Sequence, residues 1–202
     1  MPLDANDLLI IAAAVARGGA VWDDETLKPV KRKIKLHYRD TGGEQCCYCR
    51  RDMTDEFNMV IDIEHVLPKS AFRDFMFELF NLNISCKRCN MRIKKERVDF
   101  LVDEATIRAL ARQADQYLMI HPNLDNYFDH IDYLVNIRNA KKMVKYLQKS
   151  DKGRFTYTFF ELDKMEVDTL NTAQGIDVQG TQLSADIPDA LVAEATALLD
   201  RL

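Results

Sequence analysis

With 202 residues, 47% of them hydrophobic and 30% charged, the chain is long enough to bury a core without disulfides and has the composition of an ordinary globular protein. Its formal net charge of -4 excludes a nucleic-acid binder that is basic over its whole surface, so any such signal has to be local. The length fits one main domain with an appendage or two small domains.

The apolar run Leu8 to Ala16 follows Asp4 and Asp7 rather than lysine or arginine and is too short to cross a bilayer. It predicts a buried helix, capped at Asn6 or Asp7 and stopped by Gly18-Gly19, in a cytoplasmic protein. Thr26 to Asp40 sets Val30, Ile34 and Tyr38 at helical spacing among Lys28, Lys31, Arg32, Lys33, Lys35 and Arg39, a basic amphipathic helix whose charged face is either solvated or laid on phosphates. His37 on it is incidental.

Five cysteines follow, at 46, 47, 49, 86 and 89. Tight pairs in a reducing compartment are metal ligands rather than a disulfide framework. Cys46/Cys49 and Cys86/Cys89 each have the C-x-x-C spacing that sets two thiolates on one ion, so the four together make a closed structural Zn2+ site. Cys47 is then an ordinary small residue. Between the knuckles, Val60 to Lys69 is an apolar strand ending in Glu64-His65 and Pro68, and Asn81-Leu82-Asn83-Ile84-Ser85 leads into the second knuckle. From Lys87 onward, Arg88, Arg92, Lys94, Lys95 and Arg97 are opposed by Glu96 alone, which makes a local basic feature suited to phosphate contact or simply to solvent.

Farther along, Asp103 to Leu118 and Asn123 to Leu147 carry a helical period. Lys152-Gly153 signals a turn, and Phe155 to Phe160 has the composition of a strand. His121-Pro122, Asp125 and Asp129-His130 are read as capping and mutual satisfaction rather than a second metal site. Residues 171 to 186 are polar and linker-like, and Pro188 to Leu202 sets Leu191, Val192, Ala195, Leu198, Leu199 and Leu202 on one stripe of a last helix.

A strand ending in Glu-His, an Asn-Leu pair before a C-x-x-C, and an Asn directly after it resemble the ββα-metal motif of HNH endonucleases. The resemblance covers roughly a quarter of the chain. It implies that His65 is the general base, that Asn81 holds the loop and the histidine ring, and that Glu64 and Asn90 ligate Mg2+ or Mn2+. Glu64 stands where Asp is usual and Asn90 where His is expected. Asp62, on the same strand face, rivals Glu64, and Asn83 rivals Asn81. Lys69, Lys87, Arg88, Arg92, Lys94 and Lys95 are the expected nucleic-acid contacts.

The Ile-Glu-His-Val-Leu-Pro-Lys strand and the later His-Pro-x-x-Asp stretch are similar to HNH effectors of bacterial anti-phage systems of the Septu type. That similarity implies a partner subunit, often an ATPase, and leaves oligomerisation open. The expected fold is α+β and mostly helical, with N-terminal helices over 1–45, a zinc-stabilised HNH nuclease core over 46–100, and a helical covering region with a C-terminal strand over 101–170. A linker over 171–186 and an amphipathic helix over 187–202 complete it. The expected activity is hydrolysis of phosphodiesters, with duplex DNA the first substrate and RNA left open. No membrane association is expected. The competing readings are a zinc-stabilised nucleic-acid-binding module without catalysis and an adaptor whose helices recruit partners.

Overall fold

The acidic start of the chain sets its first helix. In the computed structural model, which describes residues 3–57, 59–139 and 141–168, helix α1 spans Ala5–Arg17. Asp4 accepts from the Asp7 N–H and Asp7 from the Asp4 N–H, each at 2.9 Å, a reciprocal cap that satisfies two orphan donors. The cap is therefore Asp4, with Asp7 closing the box, rather than Asn6 or Asp7 itself. Gly18 and Gly19, both at φ 72, end the helix as the sequence suggests. The helix is not buried, however, since Leu8, Leu9 and Val15 are 54%, 69% and 54% exposed. It is held by buried Ala14, by Ile10 and Ile11 packed on the core, and by Lys33 of the next helix, 2.8 Å from the buried Asp7 carboxylate.

That next helix, α2 (Lys28–Thr41), matches its sequence pattern. Val30, Ile34 and Tyr38 are buried and pack on a two-stranded antiparallel sheet of β1 (Ile61–His65) and β2 (Leu82–Cys86). Glu64 lies opposite Asn83 and His65 opposite Leu82. All five residues of β2 are buried, and the chain leaves this strand straight into a π-wound turn, Arg88–Lys94.

The second half of the described chain differs from its sequence reading. Between 103 and 118 only Ile107–Leu110 forms an α-helix, α3. The flanks are turns and a short 3-10 helix, Ala114–Gln116, tied by the Leu101/Tyr117 bridge. The segment expected to continue as helix from Asn123 is instead a hairpin of β3 (Ile131–Arg138) and β4 (Lys141–Gln148), with β5 (Val167–Asp168) on the other edge of β4. Val144 and Tyr146 are buried at period two, and Asn139 takes φ 56 at the turn, a conformation asparagine tolerates better than most residues.

Conversely, the strand expected over Phe155 to Phe160 lies in α4 (Asp151–Phe159). Ser150 Oγ accepts from the Gly153 N–H at 3.1 Å, and burial at Gly153, Thr156, Phe159 and Phe160 follows a helical period, so cap and packing override composition. Gly153 marks a close approach rather than a turn, because a Cβ there would sit 2.1 Å from the His130 carbonyl oxygen.

Among the described residues the architecture is thus α+β, with helices and two small antiparallel sheets. The halves meet over the first cysteine knuckle. Tyr127 and Tyr146 donate to the Tyr48 and Cys49 carbonyls, and Phe160 stacks on Tyr48 at 4.1 Å. Among the described residues no helix is long and apolar enough to cross a membrane. The stretch 171–186 and the helix expected over 187–202 lie outside the described residues.

Candidate active site

The cysteine cluster is built from two turns brought together by β2. The first knuckle closes through the Arg50 N–H on the Cys46 carbonyl and is fastened to β2 by the Cys47 N–H on the Ile84 carbonyl. The second is the end of β2 running into the π-wound turn. Cys46, Cys49, Cys86 and Cys89 are all buried, with sulfurs within 4.8 Å of one another. Cys49 and Cys86 sulfurs lie 3.8 Å apart, close to the roughly 3.8 Å edge of a tetrahedron with Zn–S bonds of about 2.3 Å. The Cys86 N–H donates to the Cys46 sulfur at 3.3 Å. Four converging thiols with an N–H on one of them can hold a single metal ion. Cys47 is outside the cluster, and burial pushes its thiol well above its usual range.

On the other side of β1 opens a cleft of about 740 Å³, walled by α2 and the turn around Trp22 on one side and by the π-wound turn on the other. His65, at the end of β1, is 8% exposed. Its Nε2 lies 3.1 Å from the Met76 carbonyl oxygen, and its ring meets Trp22 edge-on, centroids 4.3 Å apart. Burial first, then the charge of Lys69, pushes the imidazole down to about 3, so the ring is neutral at physiological pH. With Nε2–H given to Met76, Nδ1 carries the lone pair.

Asn81 is fully buried and ties the loop between the strands to itself. Its Oδ1 accepts from the Leu67 N–H at 2.6 Å, and its Nδ2 donates to the Leu67 and Phe75 carbonyls at 3.1 Å. The histidine ring is held by Met76 and Trp22 instead of by Asn81, which corrects that part of the expectation. Asn83, its rival, is engaged elsewhere, donating to Asn123 at 2.8 Å.

The two acidic residues of β1 part company. Asp62 lines the cleft beside Asn90, taking a hydrogen bond from Asn90 Nδ2 at 3.1 Å and from Lys87 Nζ at 2.8 Å. Glu64 is 1% exposed and is held by Lys94 Nζ at 2.9 Å and the Tyr48 hydroxyl at 3.0 Å. Burial pushes its carboxyl up, against the pull of Lys94. Glu64, expected as a metal ligand with Asn90, is absent from the cleft lining; Lys94 and Tyr48 both bond its Oε1, and its Oε2 is buried without a hydrogen-bond partner. The same ion pair removes Lys94 from the phosphate contacts.

Of the other expected cations, Lys69, Lys87 and Lys95 line the cleft. Arg88 donates to the Phe160 and Glu161 carbonyls at 2.8 and 2.7 Å, a structural use. Arg92 is exposed but away from the cleft lining. Lys31, Arg32 and Lys35 of α2 form the facing wall. These three carried a sequence signal, the basic stripe of α2. Trp22 and the Met76 carbonyl carried none, since both reach His65 only through the tertiary fold.

The His121 region settles as capping. His121 is buried, its backbone N–H donates to Asp125 at 2.7 Å, Asp125 is paired with Lys152, and His130 bonds Ser150. Among the described residues the cysteine cluster is the one group found that could hold a metal by His, Cys, Asp and Glu atoms alone.

No family model matches the chain, and no solved structure does. A stretch of 73 residues, 36% of this chain, is 34% identical to the Septu protein PtuB of Bacillus thuringiensis and covers 25% of that protein. The chain thus spans about a quarter of the length of this curated relative, and over that stretch it is similar to a Septu protein.

Proposed function

We propose that the protein is a metal-dependent nuclease of the HNH type, with a structural zinc in the four-cysteine cluster. The observation that carries this reading is the meeting of His65, Asp62 and Asn90 on one open cleft whose walls bear Lys31, Arg32, Lys35, Lys69, Lys87 and Lys95. Nothing in a purely structural zinc knuckle requires a buried neutral histidine with one nitrogen left as acceptor.

Asp62 and Asn90 offer hard oxygen donors, which suit Mg2+ or Mn2+, and these two residues, with Asp62 in place of Glu64, would hold the ion. When bound, such an ion supplies positive charge beside the scissile phosphate. His65 Nδ1 accepts the proton of the attacking water, while the Met76 carbonyl holds Nε2–H and so fixes the tautomer. A phosphodiester beside Lys69 offsets part of the cationic field that depresses the imidazole, so substrate raises its basicity. The lysines and Arg32 neutralise flanking phosphates irrespective of sequence. Duplex DNA is the substrate we favour.

The similarity to a Septu protein supports a role in anti-phage defence together with a partner subunit, an ATPase in our reading. The test is incubation of purified protein with plasmid DNA and with structured RNA in Mg2+, Mn2+ or EDTA. Metal-dependent phosphodiester cleavage is expected, and binding without any cleavage, alone or with the partner, supports the binding-module reading instead.

A further inference from the structure

Among the described residues, one ion pair has both partners almost wholly removed from water. Lys94 and Glu64 are each 1% exposed, with Nζ and Oε1 2.9 Å apart. A buried ion pair is weak evidence for stability, because desolvation offsets most of the attraction, so its retention asks what the geometry accomplishes. Here the ammonium has a second partner, the carbonyl oxygen of His65 at 2.7 Å. The Lys95 carbonyl oxygen at 3.5 Å and the ring of Phe100, 5.7 Å to the centroid, also flank it.

Lys94 reaches this place because the turn carrying it is π-wound. The Lys95 N–H closes on the Asn90 carbonyl at 2.7 Å, five residues back, and Lys95 then turns away at φ 50. Such turns are rare and recur at functional sites. One hydrogen bond between Asn90 and Lys95 thus closes a single turn that sets Asn90 beside Asp62 in the cleft and Lys94 beneath the strand end. Glu64 Oε1 also takes the hydroxyl of Tyr48 of the first knuckle, which sits under Phe160, while Oε2 is buried without a hydrogen-bond partner. The chain of contacts therefore runs from the cysteine knuckle through Tyr48, Glu64 and Lys94 to the backbone of His65.

We infer that Lys94, anchored by Glu64, is a positioning residue: it holds the His65 carbonyl and thereby the orientation of the imidazole, and Glu64 serves this lysine rather than a divalent ion. The inference rests on the nuclease reading only for the purpose of the histidine. The pairing itself can be tested without cleavage.

The experiment compares zinc-loaded wild type with Lys94→Met, Glu64→Gln, the double variant and Asp62→Asn. Either single change leaves a buried group without its partner and can cost folding, whereas the double variant removes both charges and is the better tolerated form. Folding is followed by zinc content and melting. Mn2+ affinity is read by electron paramagnetic resonance with Mn2+ alone, and the His65 ring C–H resonances by NMR at fixed pH.

In the double variant we expect zinc retained, Mn2+ affinity within about twofold of wild type, displaced His65 ring resonances, and kcat lowered about 10- to 100-fold with KM little changed, the scale of a misplaced reacting group. Asp62→Asn is expected to lose Mn2+ affinity with the ring resonances kept. If Glu64→Gln or the double variant loses Mn2+ affinity as Asp62→Asn does, Glu64 is a ligand and the inference is overturned. Unmoved His65 resonances in the double variant would make the pair structural only and overturn it equally. Failure of wild type to cut any nucleic acid contradicts the nuclease reading, while the resonances and Mn2+ affinity still decide the role of the pair.

Discussion

Trp22 stands edge-on to His65, ring centroids 4.3 Å apart, while its backbone carbonyl takes a hydrogen bond from Lys31 at 2.9 Å. One residue in a three-residue turn thus links the basic helix to the histidine. Trp22→Ala should cost about 2 kcal/mol of stability, less than full truncation of a core tryptophan because the ring is only partly buried. It should also slow cleavage about tenfold by loosening the imidazole. Trp22→Phe should retain most of both. Urea midpoints and single-turnover rates check this, and a wild-type rate for Trp22→Ala would detach the ring from the site.

The four-cysteine cluster predicts about one zinc per chain by elemental analysis. Cys86→Ser and Cys89→Ser should lose zinc and folded yield together, because binding and folding are coupled in such sites. Cys47→Ser, outside the cluster, should keep both. Zinc release from Cys47→Ser with retention in Cys46→Ser would reverse the ligand assignment.

Acid should destabilise the protein in a defined window. Burial pushes His121 from 6.5 down to about 3, so the unfolded chain takes up a proton near pH 6.5 that the folded chain refuses until about pH 3. The stability present above pH 6.5 is therefore lost progressively as pH falls toward 3, at up to about 1.4 kcal/mol per pH unit for one proton. His121→Phe, which keeps an aromatic ring between Phe80 and Tyr117, should lower the slope of stability against pH by about that amount. Equal slopes from urea melts between about pH 6 and 4 would show that His121 does not carry the proton.

Phosphate contact should follow the cleft rather than the linear run of cations. Charge reversal at Arg32, Lys69 and Lys95 should weaken nucleic-acid binding across sequences and flatten its salt dependence, whereas reversal at Arg92 should change little. A larger effect from Arg92 would move the binding surface onto the outer face of the π-wound turn.

How far the sequence reaches depends on how local each determinant is. The cysteine cluster is legible because each knuckle is set by its own spacing, and α2 because Val30, Ile34 and Tyr38 repeat with the helical period. Glu64 and Asp62 could not be separated, since both point to one strand face and the choice depends on Lys94, thirty residues away and turned inward by the π winding. The hairpin of β3 and β4 was masked because Val135 and Ile137 lie exposed on its edge strand, which breaks the apolar-in, polar-out alternation. The helix α4 was hidden by its strand-like Phe, Thr and Tyr content, although Ser150 three residues before Gly153 was a readable cap.

The central claim is that His65 does chemistry while the cysteines and the basic walls do not. The most direct measurement sets His65→Ala beside wild type, with binding and cleavage of one labelled duplex followed in the same metal. The account predicts zinc retained, affinity within a few-fold of wild type, and cleavage lower by about two to four orders of magnitude, the usual contribution of a positioned general base. A His65→Ala protein that cuts at the wild-type rate would contradict it.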